Sequence, residues 1–295
     1  MRNEIIELFK KEGISKIGFV KLEYFKELEE SYYLQHKYEY KTEFQVGNID
    51  DKTFKNNNLF NSAIVVLMPY KRYSSDVKSD YAYVASSFCD ADYHIVLKNK
   101  LEVVSDFLLK LGFKAKICVD NNELDERYLA YKAGLGFYGL NHLLINEDYG
   151  TYFFIGVILT DALFKYDKTN NRKCLKCEKC INSCPSGAIK SNGMFDGKSC
   201  ISYINQKKNI TSREESFINQ CVFGCDICAE VCPHNEKVAV YDDERVLIDI
   251  KNYKHMSNRE FNNKYKNYAF SWRGRNVFER NINIYKQKLE KRIDL

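Results

Sequence analysis

The sequence predicts a mixed α/β (α+β) domain joined to a compact module built on metal-binding cysteines. Three observations carry that prediction. Apolar strand-like runs alternate with helical patterns through residues 1–165, nine of the eleven cysteines crowd between Cys174 and Cys232, and a basic segment follows them. At 295 residues the chain is long enough to bury a sizeable core in one large or two modest domains. The start, Met1-Arg2-Asn3-Glu4-Ile5-Ile6, has no apolar signal-peptide core, and no run approaches the roughly eighteen apolar residues of a membrane span. A cytoplasmic, reducing location is the resulting expectation.

Within residues 1–165, Ile5 to Glu12 reads as a helix closed by Gly13, and Lys16 to Val20 as a short strand. Ala63-Ile64-Val65-Val66-Leu67-Met68 is a near-continuous apolar run, which suits a strand buried on both faces. Tyr93 to Gly112 carries apolar residues at helical spacing: Val96, Leu97, Leu101, Val104, Phe107 and Leu108. A strand over Lys114 to Val119, a helix over Leu124 to Ala133 and a strand over Tyr152 to Leu159 complete the alternation. Residues 24–58, rich in Tyr and Lys, have no assignable pattern.

Gly134-x-Gly136-x-x-Gly139 formally matches a dinucleotide-binding fingerprint. It follows a helix rather than a strand, and no βαβ unit opens on it, so it reads as a tight turn from helix to strand.

The cysteines are more specific. Cys174, Cys177, Cys180 and Cys184, with Pro185 after the last, have the spacing C-x2-C-x2-C-x3-C-P. Three thiolates on one tight loop suit one iron–sulfur cube, and the fourth is directed to a second cube. Cys225, Cys228 and Cys232, with Pro233, form the return half. One cluster then takes Cys174, Cys177, Cys180 and Cys232. The other takes Cys184, Cys225 and Cys228, with either Cys200 or Cys221 as its fourth ligand; spacing alone does not separate these two. A zinc site would use two C-x2-C pairs and stop there. A disulfide framework belongs to small secreted chains. Cys89 and Cys118, in apolar surroundings, read as plain buried thiols.

The net charge of +5 is uneven: residues 251–295 hold twelve Lys/Arg against four Asp/Glu. With Tyr265, Tyr268, Phe270 and Trp272 interleaved, that segment reads either as a solvated helical surface or as a face for phosphate backbones.

Taken together, these segments resemble the epoxyqueuosine reductase family of cobalamin-dependent iron–sulfur enzymes of tRNA modification. The resemblance rests on Asp92-Tyr93-His94, Val119-Asp120 with Glu126-Arg127, Ala133-Gly134-Leu135-Gly136 and Tyr152-Phe153-Phe154-Ile155-Gly156. It continues through Cys200-Ile201-Ser202-Tyr203, Phe223-Gly224-Cys225-Asp226, Cys232-Pro233-His234-Asn235 and the helix at Arg280-Asn281-Ile282-Asn283-Ile284.

The resemblance implies a cobalamin-binding α/β domain over 1–165, a ferredoxin-like domain with two 4Fe–4S clusters over 166–240, and a basic helical segment over 241–295. It assigns the open ligand to Cys200 and leaves Cys221 a free thiol. It implies that two clusters feed electrons to cobalamin, which reduces the epoxide of epoxyqueuosine to the alkene of queuosine at the wobble position of a tRNA. Asp120 matches the aspartate that donates a proton to the opening epoxide oxygen, a task for which burial would have to raise its pKa. The competing reading of Asp120 is a cap for the helix over Leu124 to Ala133, or a turn residue. Cobalamin contacts carry over to Asp120, to Leu144 and Ile155 by main chain, to Ser202 and Tyr203, and to the Cys225–Asp226 turn, with His94 orienting the site. A low-potential electron donor such as a flavodoxin or ferredoxin and a monomeric state complete the expectation.

The sequence departs from the family at Asn121-Asn122-Glu123, where Ser-Ala-Pro is usual, and at Leu140, where Lys is usual. It also lacks the helical-repeat extension that some members carry. Two alternatives therefore stand beside the leading one: a cobalamin and iron–sulfur reductase of another substrate, like the reductive dehalogenases, and a non-catalytic electron carrier of ferredoxin type.

Overall fold

A computed structural model of the chain describes residues 1–57, 59–241 and 245–293. Asn58, at the end of the unassigned 24–58 stretch, lies outside the described residues, as do residues 242–244 and 294–295 of the basic segment. The chain forms two compact units, Met1–Pro69 with Tyr93–Cys177, and Tyr70–Asp92 with Glu178–Leu295.

The first unit is built on a four-stranded sheet in the order Lys16–Lys21, Ser62–Pro69, Phe153–Thr160, Ala115–Cys118. Every neighbouring pair is antiparallel. The apolar run is the second strand of that sheet and is covered on both faces, which is why it shows no polar alternation. Ile64 and Val66 point to one face, where they join Ile5, Phe9, Leu97, Leu101, Val104 and Leu108 of the helices Arg2–Lys11 and Tyr93–Lys110. Ala63, Val65 and Leu67 point to the other, against Leu129 and Ala130 of the helix Glu126–Lys132. Each fully buried large side chain in these layers contributes about 1.5–3 kcal/mol relative to exposure.

The unassigned stretch finishes that second face. It forms the helix Lys26–Lys37 and the short helix Ile49–Thr53, which starts on a reciprocal cap between Asn48 and Asp51. Phe25, Leu28 and Phe54 enter the core from it.

The glycine motif is a turn, as its position after a helix predicts. Gly134 has φ +73°, and a Cβ there would stand 2.3 Å from the Lys168 carbonyl oxygen. The chain then enters a small hairpin, Phe137–Tyr138 against Leu144–Ile145.

The second unit holds a three-stranded sheet in the order Leu247–Asp249, Tyr81–Val84, Cys221–Phe223. Its middle strand comes from residues 70–92, so this stretch of the N-terminal half belongs with the cysteine-rich part of the chain. Arg72–Tyr73 likewise pairs with Val240–Tyr241. The helices Asn258–Tyr265 and Arg275–Ile293 close the unit around Phe223, Phe261, Phe270 and Phe278. Tyr265 and Phe270, expected from the sequence as aromatics beside a charged face, are buried in this core. Among the described residues no helix is long and apolar enough to cross a membrane.

Candidate functional site

Asp120 lies just past the strand Ala115–Cys118, which pairs along Phe153–Thr160. Phe154 of the latter strand stacks on Tyr93, the first residue of its helix, with centroids 3.9 Å apart and rings 5° from parallel. The Tyr93 hydroxyl donates to Asp120 Oδ2 at 2.7 Å, and His94 Nε2 lies 3.3 Å from the same oxygen. A strand end and a helix start thus deliver an acid, a phenol and an imidazole to one point.

The electrostatics correct the sequence expectation. The Asp120 side chain is 53% exposed, not enclosed. Burial by neighbouring protein still pushes its pKa up, but hydrogen bonds from His94, Tyr93 and the Asn121 main chain outweigh it and hold the carboxyl below its ordinary value. Asp120 is therefore a carboxylate at neutral pH. Nor is it the helix cap: Asp125 fills that role, its side chain accepting from Tyr128 N at 3.0 Å.

The loop owes its shape to the residues in which the sequence departs from the family. Asp120 and Asn121 have φ of 46° and 41°, a left-handed backbone costing about 1–3 kcal/mol at each residue bearing a Cβ. Asn122 Nδ2 donates to the Asp120 carbonyl at 2.9 Å and to Glu126 Oε1 at 2.6 Å, while its Oδ1 accepts from Leu124 N at 2.9 Å. Glu123 pairs with Lys116. These side chains brace the turn.

Residues 24–58 wall the same place. Tyr32 donates to Asp125 Oδ2 at 2.6 Å. The ammonium of Lys52, only 6% exposed, lies 3.4 Å from the Leu124 carbonyl, and burial pushes its pKa down. Phe44, Gln45 and Val46 line a cavity of about 170 Å³ together with Asp120, Glu126 and Arg127. The sequence assigns Tyr93 and Glu126 no role of their own and marks Asn122 only as part of a departure from the family. The available signal was a carboxylate six residues after Asp120, at the mouth of a helix.

Of the expected cofactor contacts, Leu144 is buried in the hairpin and Ile155 is half-buried on its strand, both in the first unit with Asp120. Ser202 and Tyr203 sit on the short helix Ile201–Ile204 of the second unit. Cys225 and Asp226 are also there, with Asp226 Oδ2 accepting from Ser86 N at 2.6 Å. Burial pushes the Asp226 carboxyl up.

The cysteines divide between the units, Cys174 and Cys177 in the first and Cys180, Cys184, Cys200, Cys225, Cys228 and Cys232 in the second. The short helices Lys179–Ser183 and Ile227–Glu230 pack together there, each carrying cysteines into a Cys-Pro corner. Cys184, Cys200, Cys225 and Cys228 are close enough to interact electrostatically. Burial pushes the Cys184 thiol up, yet the Ser186 hydroxyl and the main-chain N–H groups of Ala188, Ile189 and Ser186 bring it below its ordinary value. Main-chain N–H groups of Ser202 and Tyr203 point at Cys200, and that of Ile227 at Cys225. Such donors suit thiolates ligating iron.

Cys221 is different. It lies in a strand, buried, and its thiol donates to the carbonyls of Phe223 at 3.5 Å and Gly224 at 3.6 Å. Among the described residues no three Cys, His, Asp or Glu side chains converge on one metal ion. A cube spreads its four ligands over four irons, so they stand further apart than the ligands of a single ion.

Doubled cysteine spacing on a mixed α+β fold defines an iron–sulfur redox protein. Residues 173–235 match the 4Fe-4S double cluster binding domain, and residues 57–121 match the family described as epoxyqueuosine reductase QueG, DUF1730. The chain is 30% identical to the epoxyqueuosine reductase of Bacillus cereus over 300 residues, covering 95% of this chain and 78% of that one. It superposes with a TM-score of 0.88 and 28% identity on an epoxyqueuosine reductase bound to an epoxyqueuosine-modified tRNA-Tyr stem loop, covering 96% of this chain and 80% of that one. A Bacillus subtilis epoxyqueuosine reductase with its catalytic aspartate loop swung out of the active site gives 0.88 and 27%, with the same coverage. The chain belongs to the epoxyqueuosine reductase family.

Proposed function

We propose that this chain reduces the epoxide of epoxyqueuosine in tRNA to the alkene of queuosine. The observation that carries this reading is the continuous match to an epoxyqueuosine reductase over 95% of the chain, with the double-cluster domain inside it. The reaction takes up two electrons and two protons, breaks both epoxide C–O bonds, forms the C=C bond and releases water.

Two 4Fe–4S clusters carry the electrons. Spacing assigns Cys174, Cys177, Cys180 and Cys232 to one. The N–H donors around the thiols of Cys184, Cys200 and Cys225 support the second, completed by Cys228. We keep the cobalamin contacts that the family resemblance implies: Asp120, Leu144, Ile155, Ser202, Tyr203, Cys225 and Asp226. The flat Tyr93–Phe154 stack beside Asp120 fits a planar macrocycle. When bound, cobalamin supplies a low-valent metal centre able to reduce a carbon–oxygen bond.

The chain's own residues manage the proton. Asp120 rests as a carboxylate, so it must be loaded before it can donate. His94 Nε2, 3.3 Å from Asp120 Oδ2, is the neighbour placed to pass it a proton. Tyr93 fixes the carboxylate so that the transferred proton reaches the oxygen on which charge develops. The partners we propose are tRNA, with its modified wobble base, and a low-potential flavodoxin or ferredoxin; the protein acts as a cytoplasmic monomer.

The test is anaerobically reconstituted protein with added cobalamin, a low-potential reductant and tRNA containing epoxyqueuosine. Queuosine in the digested tRNA is the expected product. Absence of both corrinoid binding and conversion would reject the reading.

A further inference from the structure

One oxygen atom holds the strained Asp120 loop. Glu126 Oε1 accepts the main-chain N–H of Asp120 at 2.9 Å and the Asn122 side-chain amide at 2.6 Å. The same amide nitrogen donates to the Asp120 carbonyl. The Asp120 peptide is thus tied on both sides, its N–H directly to Glu126 and its C=O through Asn122. Glu126 is itself anchored as the first residue of a helix capped by Asp125. Without this tie, two consecutive left-handed residues would relax toward the favoured regions of the backbone map.

We propose that Glu126 is a positioning residue, a pH-sensitive latch on loop 119–123 that keeps the Asp120 carboxylate against Tyr93 and His94. The proposal rests on the reading of Asp120 as the proton-handling group. Within this unit the charged or titratable groups around Glu126 are Asp120 and Asp125, Arg127 on its own helix, and Cys118 at the strand end. Lys52 and Tyr32 line the same cavity.

Burial, with the charges of Asp120 and Asp125, pushes Glu126 up to about 8, against the two hydrogen bonds it accepts. At neutral pH it is a neutral acid, accepting both bonds without placing a second negative charge beside Asp120. The latched loop holds that proton more tightly than an open loop would. Raising the pH from about 4.5 to about 8 therefore shifts the equilibrium toward the open loop, and the shift is complete above about 8.

Amide hydrogen exchange over residues 119–123 reads the latch without any turnover. In wild type, protection corrected for intrinsic exchange should fall by up to about tenfold per pH unit as the pH rises from about 4.5 to about 8, and level off above that. Glu126→Gln keeps a neutral acceptor and should stay protected across that range. Glu126→Ala should lose protection at every pH. Turnover of reconstituted protein should follow: about a ten- to hundredfold loss in Glu126→Ala, rescue by Glu126→Gln, and no alkaline limb near 8 in the rescued enzyme. If Glu126→Ala does not fold, Asn122→Ala replaces it, with a smaller loss of protection and the inflection retained. Protection in Glu126→Ala equal to wild type, or an inflection that persists in Glu126→Gln, overturns the latch. Asp120→Asn separates the two ideas: wild-type turnover in that variant would refute the role of Asp120, while hydrogen exchange would still decide the latch.

Discussion

The Tyr93 hydroxyl donates to Asp120 Oδ2 at 2.7 Å, from a ring held parallel to Phe154. A phenol fixed by stacking is a poor rotor, so the bond is formed in advance and biases Asp120 toward its charged form.

Tyr93→Phe keeps the stack and removes the donor. The Asp120 carboxyl, held down by His94 and Tyr93 against burial, should rise toward its ordinary range. Asp120 donates from its protonated form, so in the variant the limb on which kcat/KM falls with rising pH should move to higher pH. Turnover should fall about tenfold. A pH–rate profile identical to wild type would count against the assignment.

Cys200→Ser and Cys221→Ser should part cleanly. Losing Cys200 should remove one cluster, taking iron from about eight to about four atoms per chain. Losing Cys221, whose thiol donates to two carbonyls within its own strand and turn, should leave iron content and the EPR spectrum of the reduced protein unchanged. Iron and labile-sulfide analysis checks both.

Stability should depend on pH through Glu126. Its folded-state pKa of about 8 stands above the ordinary 4.5, so folding favours its protonated form. That contribution is complete below about 4.5 and declines as the pH rises to about 8. Wild type should therefore lose Tm over this window relative to Glu126→Gln. Parallel Tm curves for the two proteins would contradict the shift.

Some of the basic segment is structural. Arg280 donates to the carbonyls of Lys207 at 2.6 Å and Lys208 at 2.8 Å, and Lys288 to those of Glu215, Ser216 and Ile218. Arg280→Ala should destabilise the fold by about 1–3 kcal/mol and leave the salt slope of tRNA binding unchanged. A slope reduced by about one would instead make Arg280 a phosphate contact.

Cysteine spacing and apolar pattern were legible without coordinates because each is local. Cys174, Cys177 and Cys180 wrap one cluster and Cys184 reaches toward the other, all within eleven residues, and the run Ala63 to Met68 has no polar residue to set it apart from a buried strand. Strand direction was not legible, since the same runs serve parallel and antiparallel sheets. The 24–58 stretch hid its purpose because its partners, Asp125, Leu124 and Glu123, lie about seventy to ninety residues away.

The sequence by itself determined the iron–sulfur chemistry, the main alternation of strands and helices within residues 1–165, and the family. Only the tertiary structure decided the state of Asp120. A pKa is set by what surrounds a group in space. The surroundings of Asp120 come from a helix start at Tyr93 and His94 and from a second carboxyl at Glu126, brought together by a sheet that no local pattern describes.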